Sequence, residues 1–136
     1  MFKNKGFKIG NITHLTPKEA YELCNQESIM VDVREDFMVG CKIFDVKQTL
    51  YCPASKINEL YKNLPTDVAL VIADATGIHS KEVINFLTEK GFKNIANLAG
   101  GLVEWERDNL PLQVDISEML TGSCMCQLKQ RHKKIN

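Results

Sequence analysis

Several features of common protein classes are missing from this chain of 136 residues. No stretch approaches the roughly 18 consecutive apolar residues of a membrane-spanning helix. The opening residues, MFKNKGFKIG, lack the apolar segment of a signal peptide. Net charge is absent as well, since 17 Lys and Arg balance 17 Asp and Glu, so no overall field attracts nucleic acid or membrane. We therefore expect a cytoplasmic protein with neither of those partners.

A complete disulfide framework is also disfavoured, because the chain has an odd number of cysteines, namely Cys24, Cys41, Cys52, Cys124 and Cys126. In a reducing compartment these side chains are free thiols. Cys24 falls on the apolar face of a predicted helix, which indicates a core position. We found no motif that calls for a cofactor or a resident metal.

What is present is an alternation of strand and helix signals. Thr16-Pro17-Lys18-Glu19 is a capping box with proline at the first helical position. Apolar runs at 29–33, 68–73 and 94–98 predict buried strands, and the segments after the last two predict helices. This order predicts an α/β fold whose mostly parallel sheet carries helices on both faces. We expect one domain over 1–112 and a C-terminal extension over 113–136.

The junction between the second of these strands and its helix reads VALVIADATGIHS over 68–80. Loop amides and a helix start converge at such a junction, and they favour a bound anion. The predicted anion loop comprises Asp74, Ala75, Thr76, Gly77, Ile78, His79 and Ser80. Its first position is itself a carboxylate, so the chain supplies its own negative charge.

The order and spacing of several short motifs resemble the single-domain rhodanese-like family over about residues 12–112. The motifs are Gly91-Phe92-Lys93-Asn94-Ile95, Leu98-Ala99-Gly100-Gly101, Trp105, Leu110-Pro111 and Val31-Asp32-Val33-Arg34-Glu35. The resemblance implies a rhodanese-like α/β fold and, in active members, sulfur transfer through a cysteine persulfide. It places that cysteine at Asp74, and it places Ala75 and Ile78 where active members often carry basic residues.

Two interpretations of Asp74 follow from this placement. A carboxylate oxygen cannot form a persulfide, so Asp74 acts as a built-in ligand that keeps the loop in its occupied shape. Alternatively, the pocket has decayed and Asp74 only caps the helix. In either case the loop performs no sulfur transfer.

Thiols elsewhere are the alternative nucleophiles. Cys124 and Cys126 follow a Gly-Ser pair and precede basic residues that favour thiolate. They are candidates for a sulfur relay, for half of a metal site with His132 as a possible third ligand, or for an incidental tail. Cys41 stands where the resemblance implies a histidine near the pocket mouth; it is a further candidate, although a buried role is favoured.

Three charged or titratable side chains complete the candidate site. Asp32 and Arg34 match the family's D-x-R and are interpreted mainly as a buried supporting pair, with Arg34 able to lend positive charge to the pocket. His79 could pair with Asp74 or with an incoming anion. The basic end after residue 128 lacks interleaved aromatic residues, which argues against nucleic-acid binding.

The sequence thus supports two functions. The first is a noncatalytic binding or regulatory module that recognises an unknown protein or sulfur-carrier partner. The second is a sulfurtransferase or persulfide carrier that uses Cys124, Cys126 or Cys41.

Overall fold

The computed structural model describes residues 6–35 and 42–114, and it gives the backbone alone of residues 133 and 134. Within this part of the chain the strands are β1 Phe7–Ile9, β2 Ile12–Leu15, β3 Ile29–Asp32, β4 Lys42–Phe44, β5 Thr49–Tyr51, β6 Leu70–Ala73, β7 Ile95–Leu98, β8 Leu112–Val114 and β9 Lys133–Lys134. The α-helices are α1 Pro17–Cys24, α2 Ile57–Leu60, α3 His79–Glu89 and α4 Gly101–Arg107, and single 3-10 turns flank α2.

Seven of these strands form one sheet, in the order β1-β2-β7-β6-β3-β5-β9. Its neighbouring strands are parallel except for β1 and β2, which pair antiparallel at one edge. Strands β4 and β8 form a separate antiparallel pair. The predicted α/β fold with a mostly parallel sheet is therefore confirmed.

Helices cover both faces of the sheet, because successive side chains of a strand point to opposite sides. On one face, Leu70 and Ile72 of β6 join a buried cluster with residues of α2 and α3. On the other face, Val71 and Ala73 join a cluster with residues of α1 and α4. Burial on both faces explains why the central strands read as continuous apolar runs in the sequence.

Trp105 anchors α4 to the second face. It is fully buried, and its ring meets those of Phe44 and Tyr21 edge to face at centroid distances of 5.2 and 5.9 Å. Its indole N–H donates to the carbonyl of Pro111 at 2.8 Å. The helix that begins at Gly101 is thereby fixed against the sheet.

Local signals explain the first helix, which begins as the sequence predicts. The Thr16 side chain accepts the amide of Glu19, and the Glu19 carboxylate accepts the amide of Thr16. These bonds satisfy amides that would otherwise be unpaired at a helix start. Pro17 occupies the first turn, where its missing N–H is not required.

Several strands were not predicted from the sequence. The β1–β2 hairpin precedes the first predicted element, and β8 and β9 fall within or beside the predicted extension. The strand β1 is exposed at each of its residues, so it carries no buried apolar face that could mark it. The division between residues 112 and 113 stays a prediction.

Candidate functional site

Two acidic residues lie at the carboxyl ends of adjacent parallel strands. Asp32 ends β3 and is in register with Ala73, the last residue of β6, so that Asp74 follows one position later. This edge is where an open parallel sheet gathers loops and helix starts, and ligands commonly bind there. The sheet register therefore brings the predicted anion loop and the D-x-R element to one place.

The loop after β6 folds around the carboxylate of Asp74, a residue that is only 3% exposed. One carboxylate oxygen, Oδ1, accepts the amides of Thr76, at 3.1 Å, and of Gly77. The other, Oδ2, accepts the amides of His79 and Ser80 at 2.8 and 3.1 Å. Because the last two amides begin α3, the carboxylate caps this helix, and the helix dipole favours its negative charge.

Helix α4 binds the main chain at the start of the same loop. Leu102 and Val103 donate their amides to the carbonyls of Asp74 and Ala75 at 2.9 and 3.1 Å. Gly101 lies so close that an added Cβ would meet the Asp74 carbonyl oxygen at 2.5 Å, and its φ of +58° favours glycine. Gly101 thus permits a close approach of α4 to the loop that a side chain would block.

A buried polar chain supports the loop from the sheet. The Ser80 hydroxyl donates to Asn97 Oδ1, and Asn97 Nδ2 donates to the Gly77 carbonyl at 3.4 Å. Asn97 Nδ2 also lies 3.0 Å from His14 Nδ1, on the neighbouring strand β2. Sequence reasoning missed this chain, because its members are distant along the sequence and no local pattern marks His14.

Asp32 and Arg34 form a second buried polar unit, and both are fully buried. Arg34 Nε and Nη2 donate to the two Asp32 oxygens at 3.0 and 2.8 Å. The guanidinium also donates to the Lys42 carbonyl at 3.0 Å and lies 5.3 Å from the centre of the Phe44 ring. These contacts direct the Arg34 guanidinium toward β4.

The solvent-facing part of the loop is formed by Thr76, Ile78 and His79, which are exposed, with Ile78 65% exposed. The sequence suggested that the His79 side chain could pair with Asp74. The structure makes this contact through the main-chain N–H of His79. The outer surface of the loop is therefore mixed, with an apolar side chain at its centre.

The two cysteines that the structure describes are unsuited to nucleophilic chemistry. Cys24 and Cys52 are both fully buried. Burial raises the pKa of the Cys24 thiol to about 12 and that of Cys52 to about 11, because a thiolate is poorly solvated there. The candidate thiols Cys41, Cys124 and Cys126 lie outside the described residues.

No group of three or more His, Cys, Asp or Glu side chains that could hold a metal is found in the described ranges 6–35 and 42–114. A groove of about 530 Å³ is lined in part by Ile29 and Thr49, at the amino ends of β3 and β5. It lies at the end of the sheet opposite Asp74. Among the described helices, none is long and apolar enough to span a bilayer.

Comparison with known sequences gives a consistent set of relatives. The profile of the Rhodanese-like domain matches residues 16–108. Thiosulfate sulfurtransferase GlpE of Haemophilus influenzae is 26% identical over 98 residues, which cover 72% of this chain and 91% of GlpE. The protein YtwF of Bacillus subtilis is 31% identical over 104 residues, covering 76% of this chain and 97% of YtwF.

Solved structures give the same result for the fold. A rhodanese-related protein from Thermoplasma volcanium superposes with a TM-score of 0.65 at 25% identity, covering 75% of this chain and 98% of the other. The polysulfide-sulfur transferase homodimer of Wolinella succinogenes gives a TM-score of 0.66 at 27% identity, covering 75% and 78%.

Proposed function

Because this chain belongs to the rhodanese-like family, with residues 16–108 matching the domain, we propose that its loop has lost sulfur transfer and serves a noncatalytic binding or regulatory role. The observation that carries the proposal is the Asp74 carboxylate, which accepts four main-chain N–H groups of its own loop. The proposal assigns Asp74 to the position that a cysteine holds in active members.

The bonding of Asp74 argues against substrate turnover at this loop. An anionic sulfur donor such as thiosulfate needs N–H groups that can hold its oxygens, and Asp74 already uses these. To take its place, a donor would have to displace a tethered, buried carboxylate, whose charge-assisted hydrogen bonds are among the stronger ones in proteins. A carboxylate oxygen also cannot carry the persulfide through which sulfur is transferred.

The same bonds support a binding role, because they keep the loop in the shape that it would have around a ligand. Its outer surface presents Ile78 and the exposed Thr76 and His79 in a fixed arrangement. A preorganised surface loses less conformational entropy when it binds a partner. The partner in this proposal is a protein or a sulfur carrier.

The relatives favour a second candidate function, since GlpE is named as a thiosulfate sulfurtransferase. In this alternative, sulfur is carried by Cys124, Cys126 or Cys41. For Cys124 and Cys126, the sequence supplies cationic side chains a few residues later, at Lys129 and Arg131. A cation near a thiol lowers its pKa and increases its reactivity.

Formation of thiocyanate from thiosulfate and cyanide distinguishes the two candidates. The noncatalytic proposal predicts that the native chain shows no turnover above that of a variant with Cys41, Cys124 and Cys126 all changed to serine. Mass spectrometry after incubation with thiosulfate should likewise show no added sulfur atom on any cysteine. Turnover that disappears in the triple variant would contradict this proposal and establish the alternative.

The D74C variant provides a positive control for the position of the site. The surrounding amides can stabilise the new thiolate, which is expected to attack the outer sulfur of thiosulfate. The S–S bond of the donor then breaks, sulfite leaves, and the variant retains one added sulfur atom as a persulfide. D74S is the matched control, since it has a similar size and no thiol, and it should gain none. A D74C variant that folds and remains unmodified would argue against assigning this position to the family's nucleophile.

The binding role itself requires a separate measurement. The tagged native chain and its I78E variant are compared for proteins retained from extracts of its own cells, identified by quantitative mass spectrometry. We expect a defined set of proteins whose retention is lost with I78E and unchanged with K62E. Lys62 is exposed and follows Tyr61, whose ring packs on Phe86 in the second half of α3. Equal retention by all three chains would contradict a role for this loop in binding.

A further inference from the structure

We propose that the neutral imidazole of His14 holds the Asp74 loop closed, and that protonation of this ring breaks the supporting hydrogen-bond chain and loosens the loop. The proposal concerns regulation of the same loop, and it rests on the proposed function only in assuming that the closed loop is the binding form. The chain runs from His14 through Asn97 to Gly77 and Ser80.

The carbonyl of Gly77 fixes the orientation of the Asn97 amide. A carbonyl oxygen can only accept a hydrogen bond, so the group that faces it must be the Nδ2 donor of Asn97. The amide oxygen of Asn97 then faces the Ser80 hydroxyl, which donates to it. Reversing the amide would place its oxygen against the Gly77 carbonyl and remove that bond.

This orientation determines the proton on His14. Since Asn97 Nδ2 lies 3.0 Å from His14 Nδ1 and is a donor, Nδ1 must be the accepting nitrogen and the ring proton resides on Nε2. When solvent protonates Nδ1, two N–H donors face each other in a buried site. Either the contact opens or the Asn97 amide reverses, and each outcome removes support from the loop.

The surroundings of His14 also disfavour its charged form. The side chain is 4% exposed, and the Phe7 ring of β1 stacks on it at a centroid distance of 5.3 Å. Burial lowers the pKa of His14 below its usual 6.5, and the Lys81 ammonium of α3 lowers it further. From α1, the Glu19 carboxylate accepts the amide of Gly6, which lies against the His14 carbonyl.

The chain reaches two of the four residues whose amides bind the Asp74 carboxylate. Gly77 and Ser80 each provide one N–H to Asp74 and one further group to Asn97. Releasing Asn97 therefore loosens both oxygens of the carboxylate together. The protonation of one residue on the neighbouring strand is thus coupled to both sides of the site.

Nuclear magnetic resonance of the native chain tests the proposal. The His14 and His79 rings are titrated from about pH 7.5 to about pH 5, and hydrogen-exchange protection factors of the loop amides are measured in the same range. We expect the protection of Gly77 and Ser80 to fall about fivefold or more as His14 gains its proton, about the effect of one lost hydrogen bond. The midpoint of this fall should coincide with the midpoint measured for the His14 ring.

Two variants give matched controls. H14Q cannot take up a proton and should remove the pH dependence of the loop amides, whereas H79Q should retain it. Loop protection that does not follow His14 in the native chain would overturn the proposal, as would a His14 ring that stays neutral throughout. The same pH dependence in H14Q would also overturn it. None of these readouts involves a partner, so a failure of the binding proposal would leave them unchanged.

Discussion

Two buried carboxylates at the carboxyl ends of adjacent strands, Asp32 and Asp74, illustrate different ways to stabilise a negative charge. Asp32 is paired with the guanidinium of Arg34, whereas Asp74 is held by main-chain N–H groups and a helix start. The first arrangement depends on a particular partner side chain. The second depends on the path of the backbone, so any anion of suitable shape could in principle take the place of Asp74.

The largest expected effect comes from removing the side-chain partner. R34M should lower the free energy of unfolding by about 3 to 5 kcal/mol, because it leaves the Asp32 charge buried without its guanidinium. Urea denaturation measures this change. The double variant D32N/R34M removes the charge as well and should recover part of the loss. A double variant no more stable than R34M would show that the charge of Asp32 is not the cause.

The backbone arrangement can be disturbed without changing Asp74. G101A should cost about 3 kcal/mol, since its φ of +58° disfavours a side chain and its new Cβ would meet the Asp74 carbonyl oxygen at 2.5 Å. Gly91 is the matched control, because its φ is +96° but no atom lies within 4 Å of an added Cβ. G91A should cost about 1 kcal/mol, the strain of a side chain at positive φ. Equal losses would indicate that backbone strain alone explains both, with no part played by contact with the loop.

Removing the Asp74 carboxylate gives the most direct test of the comparison. D74A should cost about 2 kcal/mol, because it leaves buried N–H groups unpaired. Added formate or thiosulfate should recover stability with increasing concentration by binding the folded state. The native chain and R34M at the same ionic strength are the controls, and neither should show this recovery. If the added anion stabilises D74A no more than it stabilises these two control chains, the amides do not form an anion site.

The smallest expected effect is a pH dependence of stability. The lowered pKa of His14 means that the unfolded chain binds more protons than the folded chain between that pKa and the usual 6.5. The contribution of His14 is therefore fully present above pH 6.5 and is lost as the pH falls through the folded-state pKa. The midpoint temperature of thermal unfolding, measured across this pH range, should rise more steeply with pH for the native chain than for H14Q. Parallel plots of this temperature against pH would contradict a lowered pKa.

The central part of the fold could be predicted because its signals are local. The strands β3, β6 and β7 are buried on both faces and so appear as apolar runs, and the capping box marks the start of α1. The β1–β2 hairpin could not be predicted in this way, because an exposed edge strand needs no apolar pattern. Its pairing is determined by contact with β7, distant in the sequence.

The position of the candidate site could also be predicted from local signals, but its supporting residues could not. A carboxylate directly after a buried strand and before a helix indicated where the loop would lie. The roles of Asn97 and His14 were not indicated, because they arise from strand pairing that places His14 opposite Asn97. The Asp32–Arg34 pair was suggested by the family motif, but the direction of the Arg34 side chain depends on β4, which no sequence period marked.

The position of Trp105 has a practical consequence for the unfolding measurements. It is the only tryptophan in the chain, and it is fully buried between Phe44 and Tyr21 on the helix whose first turn binds the Asp74 loop. Its fluorescence therefore comes from a single environment, and the emission should shift to longer wavelength when α4 leaves the sheet. The protein thus contains its own optical reporter next to the loop, and no label needs to be introduced.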